Sequence, residues 1–130
     1  MEEYKFRVWD YKEKRYYFYD NIFDVERPYT ETSTFPQYES YPEYHEVSVE
    51  QYIGRKDIND KNVYKNDIVK ITDCKTGTEY IGVVKFGDCS FYIDTGYSSH
   101  YRWVDYEIEV LGNIREDKEL IEKYNIGELI

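Results

Sequence analysis

Hydrophobic and polar residues alternate near the start of the chain, where Tyr4, Phe6 and Val8 are set against Lys5, Arg7 and Trp9, and residues 15 to 19 are again dense in aromatics. A period of two sends alternate side chains to opposite faces of a strand. The polar run Asp10-Tyr11-Lys12-Glu13-Lys14 between the two segments can turn, so the opening reads as a β-hairpin. Alternation resumes at Val47 with Val49, Gln51 and Ile53. A polar stretch over 56 to 62 then leads to Val63-Tyr64 and to a strand over 68 to 72. Lys75-Thr76-Gly77 separates that strand from one over 80 to 86, and Gly87-Asp88 separates the latter from one over 91 to 93. Glycine supplies the positive φ that tight hairpin loops demand. Asp94-Thr95-Gly96 makes a further turn, and strands over 101 to 104 and 108 to 111 follow.

Only the tail carries a helical pattern. Asp117 can cap, Leu120, Ile121 and Tyr124 form an apolar face, Glu119 and Lys123 stand four apart, and Gly127 can end the helix. Short strands with closely spaced turn signals predict a mainly β chain of seven or eight short antiparallel strands. The expected form is a small, partly open barrel or a sandwich, an SH3-like barrel among the options, with one C-terminal helix.

Residues 20 to 46 break the pattern. All three prolines, Pro28, Pro36 and Pro42, lie here among threonines and serines. Proline cannot donate to a ladder and holds its neighbours extended, so the stretch reads as a long loop or an edge arm within a single domain spanning 1–130. Its tyrosines, Tyr29, Tyr38, Tyr41 and Tyr44, are candidates for interaction, because disordered segments are normally poor in aromatics.

Composition strengthens the β reading. The chain has 10 Val and 12 Ile but only 3 Leu and no Ala, and it adds 17 Tyr, 6 Phe and 2 Trp. Branched and aromatic side chains suit a pleated, half-buried surface, whereas helices favour Ala and Leu. A tyrosine-rich surface suits protein contacts and the stacking of bases alike. Charge separates the two. With 17 Lys and Arg against 27 Asp and Glu the net charge is -10, which repels a phosphate backbone and steers toward basic partners. The N-terminal residues lack a basic leader and an apolar run, and no apolar stretch approaches the roughly 20 residues that span a bilayer. A cytoplasmic location without membrane attachment is expected.

Candidate chemistry is sparse. His45, Cys74, Cys89 and His100 are the only Cys and His residues and none stands at the paired spacing of zinc modules, so no metal or other cofactor is expected. Cys89, His100 and either Asp88 or Asp94 could be combined as nucleophile, base and acid, but nearness in sequence does not establish the hydrogen bonds that activate a thiol. Gly77 and Gly82 have the glycine spacing of a phosphate loop, yet Val83 stands where its lysine belongs. No catalytic residues are assigned.

Three separated segments together resemble the YopX family of phage and prophage proteins. They are Lys5-Phe6-Arg7-Val8-Trp9-Asp10, then Gln51-Tyr52-Ile53-Gly54 through Val63-Tyr64-Lys65-Asn66-Asp67-Ile68-Val69, then Val110-Leu111-Gly112-Asn113-Ile114 continuing to Glu119-Leu120. Within them Trp9, Asp10, Gly54, Asp67, Gly112 and Asn113 read as structural positions. Where the family pattern usually has glycine, this chain has Asp60 and Asn66, which tolerate left-handed geometry. The family's Asn-Pro helix start becomes Asp117-Lys118, which keeps a capping oxygen and loses the proline.

The resemblance implies a mainly β fold and a phage or prophage protein in a bacterial cytoplasm. It implies no activity. The leading expectation is a non-enzymatic accessory protein that binds another protein or itself. A nucleic-acid-related role, as a small-barrel binder or an acidic DNA mimic, comes second, and an enzyme third.

Overall fold

The computed structural model describes residues 5–20, 47–87, 89–101 and 103–130. Tyr29, Tyr38, Tyr41, Tyr44, His45, Asp88 and the proline-rich stretch lie outside the described residues. Among those described, nine strands and one short helix form: β1 Phe6–Asp10, β2 Arg15–Tyr19, β3 Val47–Lys56, β4 Asn62–Tyr64, β5 Asp67–Asp73, β6 Glu79–Gly87, β7 Ser90–Asp94, β8 Ser99–His100, β9 Tyr106–Asn113 and α1 Lys118–Lys123. They make two antiparallel sheets, of order β2-β1-β3-β4 and β8-β7-β6-β5-β9. The chain is mainly β with a C-terminal helix, as expected, but both sheets stay open and do not close into a barrel. By contacts the chain divides into two compact units whose boundary falls between Tyr52 and Ile53, within β3.

In the first unit β1 lies between β2 and β3, with Asp10 opposite Arg15 and Arg7 opposite Glu50. The hairpin closes because the Asp10 carboxylate accepts the N–H of Lys12 and of Glu13, while Lys14 takes the left-handed conformation at φ 57°. In β3 the alternation Val47, Val49, Gln51 does not mark the buried face. Val49 is 40% exposed and Glu50 is fully buried. The reason is electrostatic. Arg7 Nε and the Tyr16 hydroxyl both donate to Glu50 Oε1, at 2.7 and 2.8 Å, and the guanidinium lies 4.6 Å from the centre of the Tyr16 ring. A buried carboxylate is tolerable only when it is bonded in this way.

The second unit is built on the five-stranded sheet. One face buries Val69, Ile71, Val84, Ile93 and Ile108 with Val63 of β4, and the other buries Ile68 and Val83 under Ile114, Ile126 and Leu129 of the C-terminal segment. Alternation along β5 and β6 puts neighbours on opposite faces, and β9 carries a bulge beside them. Ile68 faces Gly112 but Val69 faces Val110, so Leu111 is an extra residue.

Turn chemistry follows the expected residues at some sites and departs at others. Gly77 takes φ 76°, and Asp60 and Asn66 take 66° and 75°, the left-handed geometry expected where the family has glycine. In the β6–β7 hairpin the left-handed residue is Cys89, φ 65°, and not Gly87. Within the strand expected over 101 to 104 a short 3-10 helix, Trp103–Asp105, begins instead, and the carbonyl of Trp103 accepts from the Arg55 guanidinium, which also bonds the carbonyl of Tyr106 at the start of β9. Asp117 makes no side-chain cap. Its Oδ2 accepts the N–H of Asn113 at 3.0 Å instead. The helix also ends before Gly127. Asn125 turns left-handed, its N–H bonds Glu122 O, and the N–H of Ile126 bonds Ile121 O, a Schellman closure.

Candidate functional site

In the second unit a cleft of about 580 Å³ opens between the start of β6, the β7–β8 turn and the chain after α1. The turn is fixed locally. Asp94 Oδ1 accepts the N–H of Gly96 at 2.9 Å, Gly96 takes φ 89°, and Thr95 and Ser98 bond each other through backbone and side chain. This leaves Tyr97 fully exposed at the rim. On the opposite wall the Schellman closure folds the chain back so that Ile126 and Leu129 are buried against the sheet. The cleft is thus walled by Tyr80, Tyr97, Tyr124, Ile126 and Leu129, and among the described residues Glu128 is the only charged side chain lining it.

Beside the cleft a chain of hydrogen bonds ties the turn to β9. Ser98 Oγ meets His100 Nε2 at 2.7 Å, and His100 Nδ1 meets the Tyr106 hydroxyl at 2.8 Å. The Tyr80 and Tyr106 rings each lie 5.0 Å from the imidazole. Burial first, and then the negative charge of Asp73, Tyr80 and Asp105, pushes the Tyr106 phenol above its usual range. Hydroxyl, imidazole and a third group in line is the spacing of an activated nucleophile. Here the third group is a phenol where hydrolases place a carboxylate. Ser98 Oγ is also 3.0 Å from Thr95 Oγ1. Geometrically, the chain braces the turn.

The constellation suggested by the sequence is not assembled. Both ring nitrogens of His100 are engaged by Ser98 and Tyr106. Asp94 bonds Lys85 Nζ at 2.8 Å and the Gly96 amide. Burial alone would raise the Asp94 carboxyl, but the Lys85 hydrogen bond, the Gly96 N–H and the Lys85 charge hold it below the usual carboxylate range. Cys89 is exposed at the hairpin tip, whereas His100 pairs with Ile93, about 10 Å of strand away. Cys74 is exposed at the β5–β6 turn. Among the described residues no group of three or more His, Cys, Asp or Glu is placed to hold a metal ion, and no helix is long and apolar enough to cross a membrane.

The motif positions make backbone or packing contacts or, at Gly54, supply a backbone conformation. Trp9 is buried edge-on to Tyr16 with ring centres 5.0 Å apart. Asp10 closes the first hairpin, and Gly54 supplies φ 89° inside β3. Asp67 Oδ2 accepts the N–H of Tyr64 at 2.8 Å. Asn113 Oδ1 accepts from Arg115 and Glu116, and a methyl at Gly112 would fall 2.5 Å from Asp117 Oδ2. Gly82 serves packing as well, since a methyl there would lie 2.7 Å from the Asp94 carbonyl oxygen. Asp57, which the sequence reading passed over, accepts from Asn59, Lys61 and Val110 and holds the β3–β4 turn on β9.

The model of the YopX protein family matches residues 5–122, and the chain belongs to that family. No curated protein is significantly similar to it in sequence.

Proposed function

We propose that this YopX-family chain is a phage or prophage accessory protein that acts without catalysis, by holding a basic segment of a partner protein in the cleft of its second unit. The observation that carries the reading is the lining of the cleft: among the described residues, three tyrosines and buried aliphatic side chains with Glu128 as the one charge. Aromatic faces attract ammonium and guanidinium groups, and a carboxylate beside them completes a site for Lys or Arg. The net charge of -10 favours encounter with a basic partner. Lys123 already lies 5.3 Å from the centre of the Tyr124 ring, so this ring meets a cation within the chain itself.

The test is a titration of isotope-labelled protein with a ten-residue Lys- and Arg-rich peptide, followed by amide chemical shifts. Saturable shifts concentrated at Tyr97, Asn125 and Glu128 are expected. Tyr97→Ala and Glu128→Gln should each weaken binding about threefold, the scale of one exposed cation contact. Shifts spread over the acidic surface and indifferent to both substitutions would show that charge alone is at work and would overturn the assignment.

A further inference from the structure

A second pocket, about 300 Å³ in volume and within the same unit, is bounded by Ile53, Arg55, Ser90, Phe91 and Trp103. Arg7, Lys70 and Lys85 all meet carboxylates, of Glu50, of Glu79 and Glu109, and of Asp94. Arg55 instead donates from Nη1 to the carbonyl of Trp103 and from Nη2 to that of Tyr106, the latter at 2.7 Å, and among the described residues it meets no carboxylate. Two neutral acceptors leave its charge unbalanced, and of five guanidinium N–H donors three remain. Among the described residues no acidic side chain lines the pocket.

The walls are set in advance. The Trp103 indole N–H donates to the carbonyl of Phe91 at 3.2 Å, and the Phe91 ring packs edge-on against Phe86 with centres 5.0 Å apart. Rigid walls reduce the entropy lost on binding. We infer that this pocket is a binding site for a small aromatic carboxylate, its ring against Trp103 and Phe91 and its carboxylate on the free N–H groups of Arg55. The fork of a guanidinium matches the two oxygens of a carboxylate. The volume lies at the low end for ligand pockets, which suits one ring with a short acid arm. A singly charged acid is also repelled less than a doubly charged phosphate by a chain of net charge -10.

The experiment titrates isotope-labelled protein with phenylacetate and follows the indole N–H resonance of Trp103, with phenylacetamide, acetate and inorganic phosphate in parallel. A saturable shift is expected at millimolar phenylacetate, with the amide and acetate each binding roughly tenfold more weakly. Arg55→Gln should abolish the shift. Because Arg55 also ties down two carbonyls, Phe91→Leu is the second variant, expected to weaken binding roughly threefold while keeping the pocket apolar. No saturation, equal binding of phenylacetamide, or phosphate or acetate binding as well as phenylacetate would each overturn the inference. These comparisons on the unmodified protein decide even if Arg55→Gln does not fold.

Discussion

Replacing Gly112 by Ala tests whether the motif residues of this family are held by packing. A Cβ built there lies 2.5 Å from Asp117 Oδ2, 2.7 Å from its Cγ and 2.8 Å from Leu120 Cδ1. Asp117 Oδ2 is also the acceptor for the N–H of Asn113, a buried residue. The carboxylate must therefore move, and the amide it leaves costs about 1–3 kcal/mol. The added methyl restricts the unfolded chain and returns about 0.4–1 kcal/mol. A net loss of about 1–2 kcal/mol follows, which for a domain of this size lowers Tm by about 3–8 °C. Chemical denaturation of Gly112→Ala, Asp117→Ala and the double variant measures it. The Gly112→Ala cost should shrink by more than half in the Asp117→Ala background, since residues in contact couple. A Gly112→Ala protein as stable as the parent, or a cost unchanged without the carboxylate, would refute the reasoning.

Gly82→Ala should cost more, about 2–4 kcal/mol by the same denaturation, because its methyl would meet the backbone oxygen of Asp94 at 2.7 Å and backbone cannot swing aside. Glu50→Gln, which removes the carboxylate that the buried Arg7 bonds, should lose about 3–5 kcal/mol, and Arg7→Met with Glu50→Leu should recover most of it. Asp94→Asn tests the pH dependence. The folded-state pKa of Asp94 is depressed, so its contribution is present above the unfolded value of about 3.9 and is lost as pH falls through the folded value. The stability difference between parent and Asp94→Asn should therefore be full at pH 7 and fade below about pH 4, and a gap that persists at pH 2 would contradict the cause assigned.

Much of the strand pattern was legible because local chemistry sets it. Asp10 and Lys14 close the first hairpin, Gly77 the third, and Asp60 and Asn66 hold positive φ where only a few residue types can. What was not legible depends on partners distant in sequence. Glu50 is buried because Arg7, 43 residues away, accompanies it. Residues 101 to 104 look like a strand, but Trp103 opens a 3-10 helix and its carbonyl bonds Arg55, 48 residues away. Asp117 is a local exception: it looks like a cap, but its carboxylate takes the N–H of Asn113, four residues earlier. The cleft combines β6, the β7–β8 turn and the chain after α1, so no single window of sequence displays it. Ser98 and Tyr106 were within reach of a reading centred on His100, but attention to Cys89 passed over both.

The most direct test of the proposed role is affinity capture from phage-infected or lysogenic host cells with the parent chain and the Tyr97→Ala/Glu128→Gln variant side by side, with mass-spectrometric identification. The account predicts that at least one protein with a basic segment is held by the parent and lost by the variant, and that the Lys- and Arg-rich peptide added in excess releases it. Equal recovery of every captured protein by both chains would contradict it.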